Sequence, residues 1–189
     1  YLAIGATTPM SPLSQGAPVP VLSARELMTR TGALPAPSTG RAVVIDTEGG
    51  FRMGNAVEWL LAKGYGVDVV TPDFFVGREV VESQDFQWFS RVAAQPDGRG
   101  ALFHPRTEAL RWEGADLICA DRFSRAERTL APVALVVISS PEVPETALLE
   151  RLRGRHPRVI TIGDARAPRL MGEAIVHAHR TIIGASSHG

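Results

Sequence analysis

A chain of 189 residues with 44% hydrophobic content and a formal net charge of zero carries enough apolar material for one large domain or two small ones. That composition excludes an intrinsically disordered chain, and the lack of a basic run argues against nucleic acid as a partner. The single cysteine, Cys119, excludes an internal disulfide and an iron–sulfur ligand set. With no secretory leader pattern and no run long and apolar enough to span a membrane, the expected setting is the reducing cytoplasm, with no membrane partner.

In chain order, Tyr1–Ala6 reads as a short strand, beginning so abruptly that a longer parent chain is expected. Thr8–Pro20 is a Pro-, Ser- and Gly-rich surface excursion. Ser23 then starts a helix over Ala24–Arg30, with Glu26 three residues on to complete a capping box. Residues 32–40 form a second Pro/Ser/Gly linker. A buried strand at Ala42–Asp46 follows, then a turn. The helix after it, Met53–Lys63, has Met53, Val57, Leu60 and Leu61 on one stripe and Gly64 as its stop. Val67–Thr71 is the next strand. Gln84–Ala94 reads as a helix ended by Pro96-Asp97-Gly98. Residues 101–131 alternate as Ala101–His104, Ala109–Trp112, Asp116–Ala120 and Ala126–Leu130, an antiparallel meander. Val133–Ser139 is apolar throughout, the pattern of a strand buried on both faces. The helix Glu145–Arg153 ends at Gly154, and Arg158–Ile162 is the last strand. The closing helix runs from Pro168 to about Gly184, with Met171, Ala174, Ile175, Ala178 and Ile182 as its buried stripe.

The strand–turn–helix–strand at residues 42–71 has the layout of a nucleotide-binding βαβ unit. Its turn, Asp46-Thr47-Glu48-Gly49-Gly50-Phe51-Arg52-Met53-Gly54, differs from a dinucleotide fingerprint in one decisive respect: Asp46 stands where the first glycine belongs. Glu48 adds a second carboxylate. Both oppose a pyrophosphate at the helix N-terminus, so the dinucleotide site is read as altered or lost. Gly49, Gly50 and Gly54 remain as candidate cofactor-contact positions, or simply as a tight turn. Thr71, at the end of the second strand, has a hydroxyl suited to a ribose.

Other reactive residues fall into bland patterns. His104, His156, His177 and His179 lack zinc-ligand spacing. Ser139-Ser140 and Ser186-Ser187 lack a nucleophile-elbow context. Cys119 in an alternating strand reads as packing. Trp59 lies opposite the helix's apolar stripe and is read either as a partly exposed aromatic or as a contact with a neighbouring domain.

The element order, with Leu2-Ala3-Ile4-Gly5-Ala6-Thr7 at the start and Thr161-Ile162-Gly163-Asp164 near the end, resembles the C-terminal half of flavin-containing pyridine-nucleotide oxidoreductases. There an NAD-type domain is inserted between an "ATG" strand and a "GD" strand of an FAD-type domain; Ile4 replaces the family threonine. Asp164-Ala165-Arg166-Ala167-Pro168-Arg169, Glu173-Ala174-Ile175 and the Asp46–Phe51 turn are similar to one subgroup, the trimethylamine dehydrogenase, 2,4-dienoyl-CoA reductase and N-methylproline demethylase family. The turn is closest in pattern to its amine-dehydrogenase branch.

The resemblance implies an α/β fold with a Rossmann-like, mainly parallel sheet, helices on both faces and an antiparallel β-meander. It implies three segments: residues 1–40 as the first part of an FAD/ADP-binding-like domain with linker, 41–140 as an NAD-like domain, and 141–189 as the return of the first. Gly163 and Asp164 would lie near the pyrophosphate or flavin side of a bound ADP or FAD, with Arg166 and Arg169 adding positive charge. The parent would be a flavin-dependent amine oxidoreductase whose N-terminal barrel carries FMN and a four-iron, four-sulfur cluster. This chain would be its non-catalytic C-terminal part, with that barrel, the missing FAD-like half, an electron-transfer protein or a second copy as partners. Two rivals stand beside this reading: a stand-alone NAD(P)-binding or regulatory domain, and a non-enzymatic interaction module using Trp59, Trp88 and Phe89.

Overall fold

The structure, a computed structural model, describes residues 1–30, 32–83, 85–93, 100–156, 158–169 and 171–186, and for 185 and 186 the backbone only. The chain forms two compact units, Met10–Ser140 and Tyr1–Pro9 with Pro141–Gly189. The sequence reading draws its first boundary at residue 40; the contacts draw it at residue 9, because the segment after Met10 supplies a strand and a helix to the larger unit.

Element by element, the chain runs β1 (Ala6–Thr7), β2 (Val21–Ser23), α1 (Ala24–Thr29), β3 (Arg41–Asp46), α2 (Phe51–Ala62), β4 (Val67–Val70), α3 (Arg78–Glu82) and α4 (Gln87–Val92). Then come β5 (Ala101–His104), β6 (Thr107–Glu113), β7 (Asp116–Asp121), β8 (Glu127–Leu130), β9 (Val133–Ser139), β10 (Val143–Pro144), α5 (Ala147–Leu152) and α6 (Met171–Ser186).

In the larger unit, five strands form a parallel sheet in the order β2-β9-β3-β4-β5. Every residue of β9 is buried, as its unbroken apolar run requires. Alternation sorts the two faces. Ala42, Val44, Val67, Val69, Leu135 and Val137 pack under the helices, joined by Leu27, Met53, Val57, Leu60, Val80 and Trp88. Val43, Ile45, Val70, Val136 and Ile138 face the other way, onto Leu117 and Cys119 of β7 and Leu13 of the 10–20 loop. The indole of Trp112 in β6 donates to the Leu13 carbonyl at 2.9 Å, fastening that loop to the meander. Helices were expected on both faces; here α1 to α4 pack on one, and the antiparallel meander β6-β7-β8 covers the other.

Ser23 caps α1 as its sequence implies: its hydroxyl accepts from the Glu26 amide, and the Glu26 carboxylate accepts from the Ser23 amide at 2.7 Å. The helix α2 buries Met53, Val57 and Leu60, whereas Leu61 only packs at the edge of the core.

Four expectations need correction. Ala101–His104 is not part of the meander: it pairs in parallel with β4 as the edge of the main sheet. The chain leaves that sheet only at Pro105-Arg106, where Arg106 has φ 53. The helix expected over 84–94 is the shorter α4, preceded by a separate short helix, α3, that the sequence reading does not anticipate, and the expected stop at 96–98 lies outside the described residues. Arg158–Ile162 is not a strand but a single bridge, Thr161 to Leu2. Finally, the closing helix begins at Met171, and its supposed buried stripe is open: Met171 is 79% exposed, Ile175 61% and Ile182 44%. Only Ala174 of the stripe meets the Gly163 turn, and its larger side chains stay exposed; 3.6-residue periodicity shows which side is apolar, not that something covers it.

The smaller unit joins β1 and β10 as an antiparallel pair. Beside them, Leu2 donates to the Ile160 carbonyl at 2.8 Å, and Ile162 donates to the Leu2 carbonyl at 3.0 Å. The departure and return segments singled out in the sequence are therefore direct neighbours.

Candidate functional site

In an open parallel sheet a ligand sits outside the carboxyl ends of the strands where the strand order reverses. Here that point lies between β3 and β9, at Asp46 and Ser139, which are register partners. The crevice is sealed one residue further on, where the Thr47 amide donates to the Ser139 carbonyl at 2.9 Å.

Asp46 is completely buried. Its Oδ1 accepts from the amides of Gly49 at 2.9 Å and Glu48 at 3.2 Å. Those are the groups a nucleotide-binding turn would present to a phosphate, so the chain fills its own anion position. The other oxygen, Oδ2, has no protein partner, and neither do the buried hydroxyls of Ser139 and Ser140. Burial drives the Asp46 carboxyl up to about 6 even though the Gly49 and Glu48 amides pull it down; the negative charges of Glu48 and Asp73 push it further up.

The rest of the turn is equally occupied. Glu48 is bound by the guanidinium of Arg52, one helical turn ahead. From the start of α3, Arg78 donates to the Glu48 carbonyl at 3.0 Å, and the Glu79 amide donates to the Gly49 carbonyl at 2.9 Å. Gly49 has φ +77, and a Cβ built there would lie 3.1 Å from the Arg78 Cβ; one built on Gly50 would lie 2.8 Å from a Glu79 carboxylate oxygen. Gly54 is where α2 meets the Trp88 ring. The glycines thus admit the chain's own α3 and α4. Thr71 is buried, and its hydroxyl accepts from the Asp73 amide at 3.2 Å.

The smaller unit offers the opposite electrostatics. Gly163, at φ +60, opens a short 3₁₀ turn through Ala165. Around it lies a cavity of about 190 Å³ lined by Gly163, Arg166, Arg169, Glu173 and His177. Arg166 approaches His177 Nε2 at 2.8 Å. A guanidinium is always a donor, so that imidazole nitrogen is an acceptor. The Asp164 side chain accepts from the Arg169 amide at 3.3 Å, folding Arg169 back over the turn. Two exposed arginines with one carboxylate at the rim suit a phosphate or other anionic group. The residues present offer two guanidinium groups to a phosphate or diphosphate here.

They do not fit an iron–sulfur cluster. Cys119 is buried and its thiol is pushed up to about 12 by burial, and no group of three or more His, Cys, Asp or Glu side chains could hold a metal among the described residues. No helix among the described residues is long and apolar enough to cross a membrane.

No protein-family model and no curated protein matches this chain. Solved structures do. Histamine dehydrogenase from Rhizobium sp. 4-9 aligns over 95% of this chain with a TM-score of 0.77 at 17% identity. The 6-hydroxypseudooxynicotine amine oxidase of Pseudomonas geniculata N1 aligns over 93% with a TM-score of 0.73, also at 17% identity. An FAD-dependent pyridine nucleotide-disulphide oxidoreductase from Desulfovibrio vulgaris aligns over 86% with a TM-score of 0.59 at 19% identity. The chain spans 29%, 27% and 44% of those three proteins. The fold is therefore that of a Rossmann-like region found within flavin-dependent oxidoreductases.

Proposed function

We propose that this chain is the nucleotide-binding-like, non-catalytic portion of a flavin-dependent oxidoreductase similar to amine dehydrogenases. The larger unit is a dinucleotide fold that has closed its own site and acts as a scaffold. The smaller unit holds the anionic part of ADP or FAD at Gly163-Asp164, where Arg166 and Arg169 neutralise it. The observation that carries this reading is the contrast between an acidic, self-filled turn at Asp46–Gly50 and a basic, accessible cavity at Gly163. The parent's FMN, its iron–sulfur cluster and an electron-accepting partner belong to the same reading and would reside outside these residues. Of the aromatic anchors of the rival interaction module, Trp88 is only 3% exposed, which leaves Trp59 and Phe89.

The test is a thermal-shift titration with ADP, FAD, NADH and NADPH, since a ligand that binds only the native state raises its melting temperature. The expected result is a rise with ADP or FAD, abolished in Arg166→Glu, and none specific to NADH or NADPH. A rise with NADH that survives Arg166→Glu would overturn the reading.

A further inference from the structure

A second cavity lies in the larger unit, at the carboxyl ends of β4 and β5. It measures about 410 Å³ and is walled by Phe74, Phe75, Phe89, Phe103, Val76 and Val81, with Pro105 at its edge. We infer that it is a binding site for a small, neutral, planar aromatic molecule.

Three observations carry this. The first is composition: no lining residue is charged. A charged ligand would give up hydration with nothing to replace it, whereas a neutral ring exchanges water for ring faces and edges. The second is that the apolar surface is held outward. Phe74 is 72% exposed and Phe75 51%, just beyond the carboxyl ends of β4 and β5. Phe74 stacks on Phe123 of the meander, with ring centroids 5.5 Å apart and planes at 29°. Phe89 and Phe103 meet edge to face at 6.0 Å and are backed by Trp88.

The third is that the base of the loop bearing Phe74 and Phe75 is held before any ligand arrives. The Arg106 amide donates to the Asp73 carbonyl at 2.7 Å, the Asp73 amide to the Thr71 hydroxyl at 3.2 Å, and Arg122 to the Pro72 carbonyl at 3.4 Å. The start of the loop that carries Phe74 and Phe75 is pinned to the turn after β5 and to the meander, which lowers the ordering cost of binding. A volume of this size is within the range of small-ligand pockets. The site is separate from the cavity at Gly163 and does not depend on the reading given to it.

The experiment is a methyl-NMR titration of the full chain with indole, following Val76 and Val81, with cyclohexanol as a saturated control. Indole is expected to move both methyl signals saturably, cyclohexanol to leave them nearly still, and ADP to leave indole binding unchanged. Phe74→Ser, at an exposed position that the fold does not need, should weaken indole about two- to tenfold. Unsaturable or absent shifts, equal shifts with cyclohexanol, competition by ADP, or an unaffected Phe74→Ser would each overturn the inference. So would movement of the same signals on concentrating the protein alone, which would make the patch a contact between copies of the chain.

Discussion

Asp46 and Asp68 stand on neighbouring strands, both almost wholly buried at 0% and 5% exposure, yet they titrate in opposite directions. Burial pushes both carboxyls up. For Asp68 that push is outweighed by hydrogen bonds from His104 and Arg41, and its pKa falls below the ordinary value of 3.8. Arg41 Nε lies 2.6 Å from one oxygen and His104 Nε2 2.7 Å from the other. Arg128 of the meander approaches the far nitrogen of that imidazole at 3.3 Å, so the network ties β8 to the sheet. Asp46 has only two amides on one oxygen and nothing on the other, and burial prevails. Burial alone does not decide what a buried acid does to a fold; its partners do. One end of the sheet carries a satisfied ionic network and the other a carboxyl that the fold tolerates.

The largest way to break this comparison is Asp68→Ala. It takes their carboxylate from Arg41 and His104, although Arg41 still donates to the Val67 carbonyl at 2.7 Å, and removing one member of a buried pair costs about 3 kcal/mol. Arg41 keeps 28% of its side chain in water and His104 15%, which holds the loss at the lower end of such cases. Denaturant unfolding at neutral pH should read it. Because the folded pKa of Asp68 is depressed, its contribution is present above the ordinary carboxylate value and is lost as pH falls through the folded one.

Asp46→Asn should act in the opposite sense. With a folded pKa of about 6 against an ordinary 3.8, the wild-type contribution is complete below the ordinary value and is lost as pH rises through about 6. The amide keeps an acceptor for Gly49 and Glu48 and removes the buried charge. The variant should therefore be more stable by about 2–3 kcal/mol near pH 7, with a flatter stability profile between about pH 4 and pH 6. Equal stability of the two proteins at neutral pH would sink the assignment of an uncompensated charge to Asp46.

Gly49→Ala probes the turn's geometry rather than its charge. The residue sits at φ +77, and the new methyl would lie 3.1 Å from the Arg78 Cβ. The left-handed conformation alone costs a non-glycine residue about 1–2 kcal/mol, so a loss of that order is expected in thermal or denaturant unfolding. No loss would mean that residue 49 does not need the left-handed conformation.

What the sequence discloses of all this follows the range of each interaction. The capping box at Ser23 and Glu26 spans three residues and the apolar run of β9 is continuous, so both are legible. The amide-accepting role of Asp46 is also local, and its odd placement in a fingerprint turn marks it out. The closure by Arg78 and Glu79 comes from about thirty residues away, and the Asp68–His104 contact joins residues thirty-six apart; no local pattern announces either. Ala101–His104 shows its strand character but not its partner, because alternation does not tell a parallel edge from a meander. Met171 and Ile175 display an apolar face without saying whether it is covered. The aromatic cavity is assembled from three separate stretches, each of which reads alone as an ordinary loop or element.

The smallest expected effect separates charge from shape at the dinucleotide turn. Asp46→Asn combined with Glu48→Gln removes both carboxylates that oppose a pyrophosphate. If charge were the sole obstacle, the double variant would gain NADH binding, visible as a rise in melting temperature with added NADH. The structure argues otherwise. The Gly49 and Glu48 amides would still be taken by the residue-46 side chain. The Gly49 carbonyl and the Glu48 carbonyl would still be held by Glu79 and Arg78, and Ser139 would still seal the crevice through Thr47. A pyrophosphate would have to displace the hydrogen bonds that the Glu48 and Gly49 amides make to residue 46, each worth about 1 kcal/mol net, and move α3 off the turn. No NADH-dependent shift is therefore expected from the double variant, and a clear one would show that two negative charges, not the packing of α3, had kept the nucleotide out.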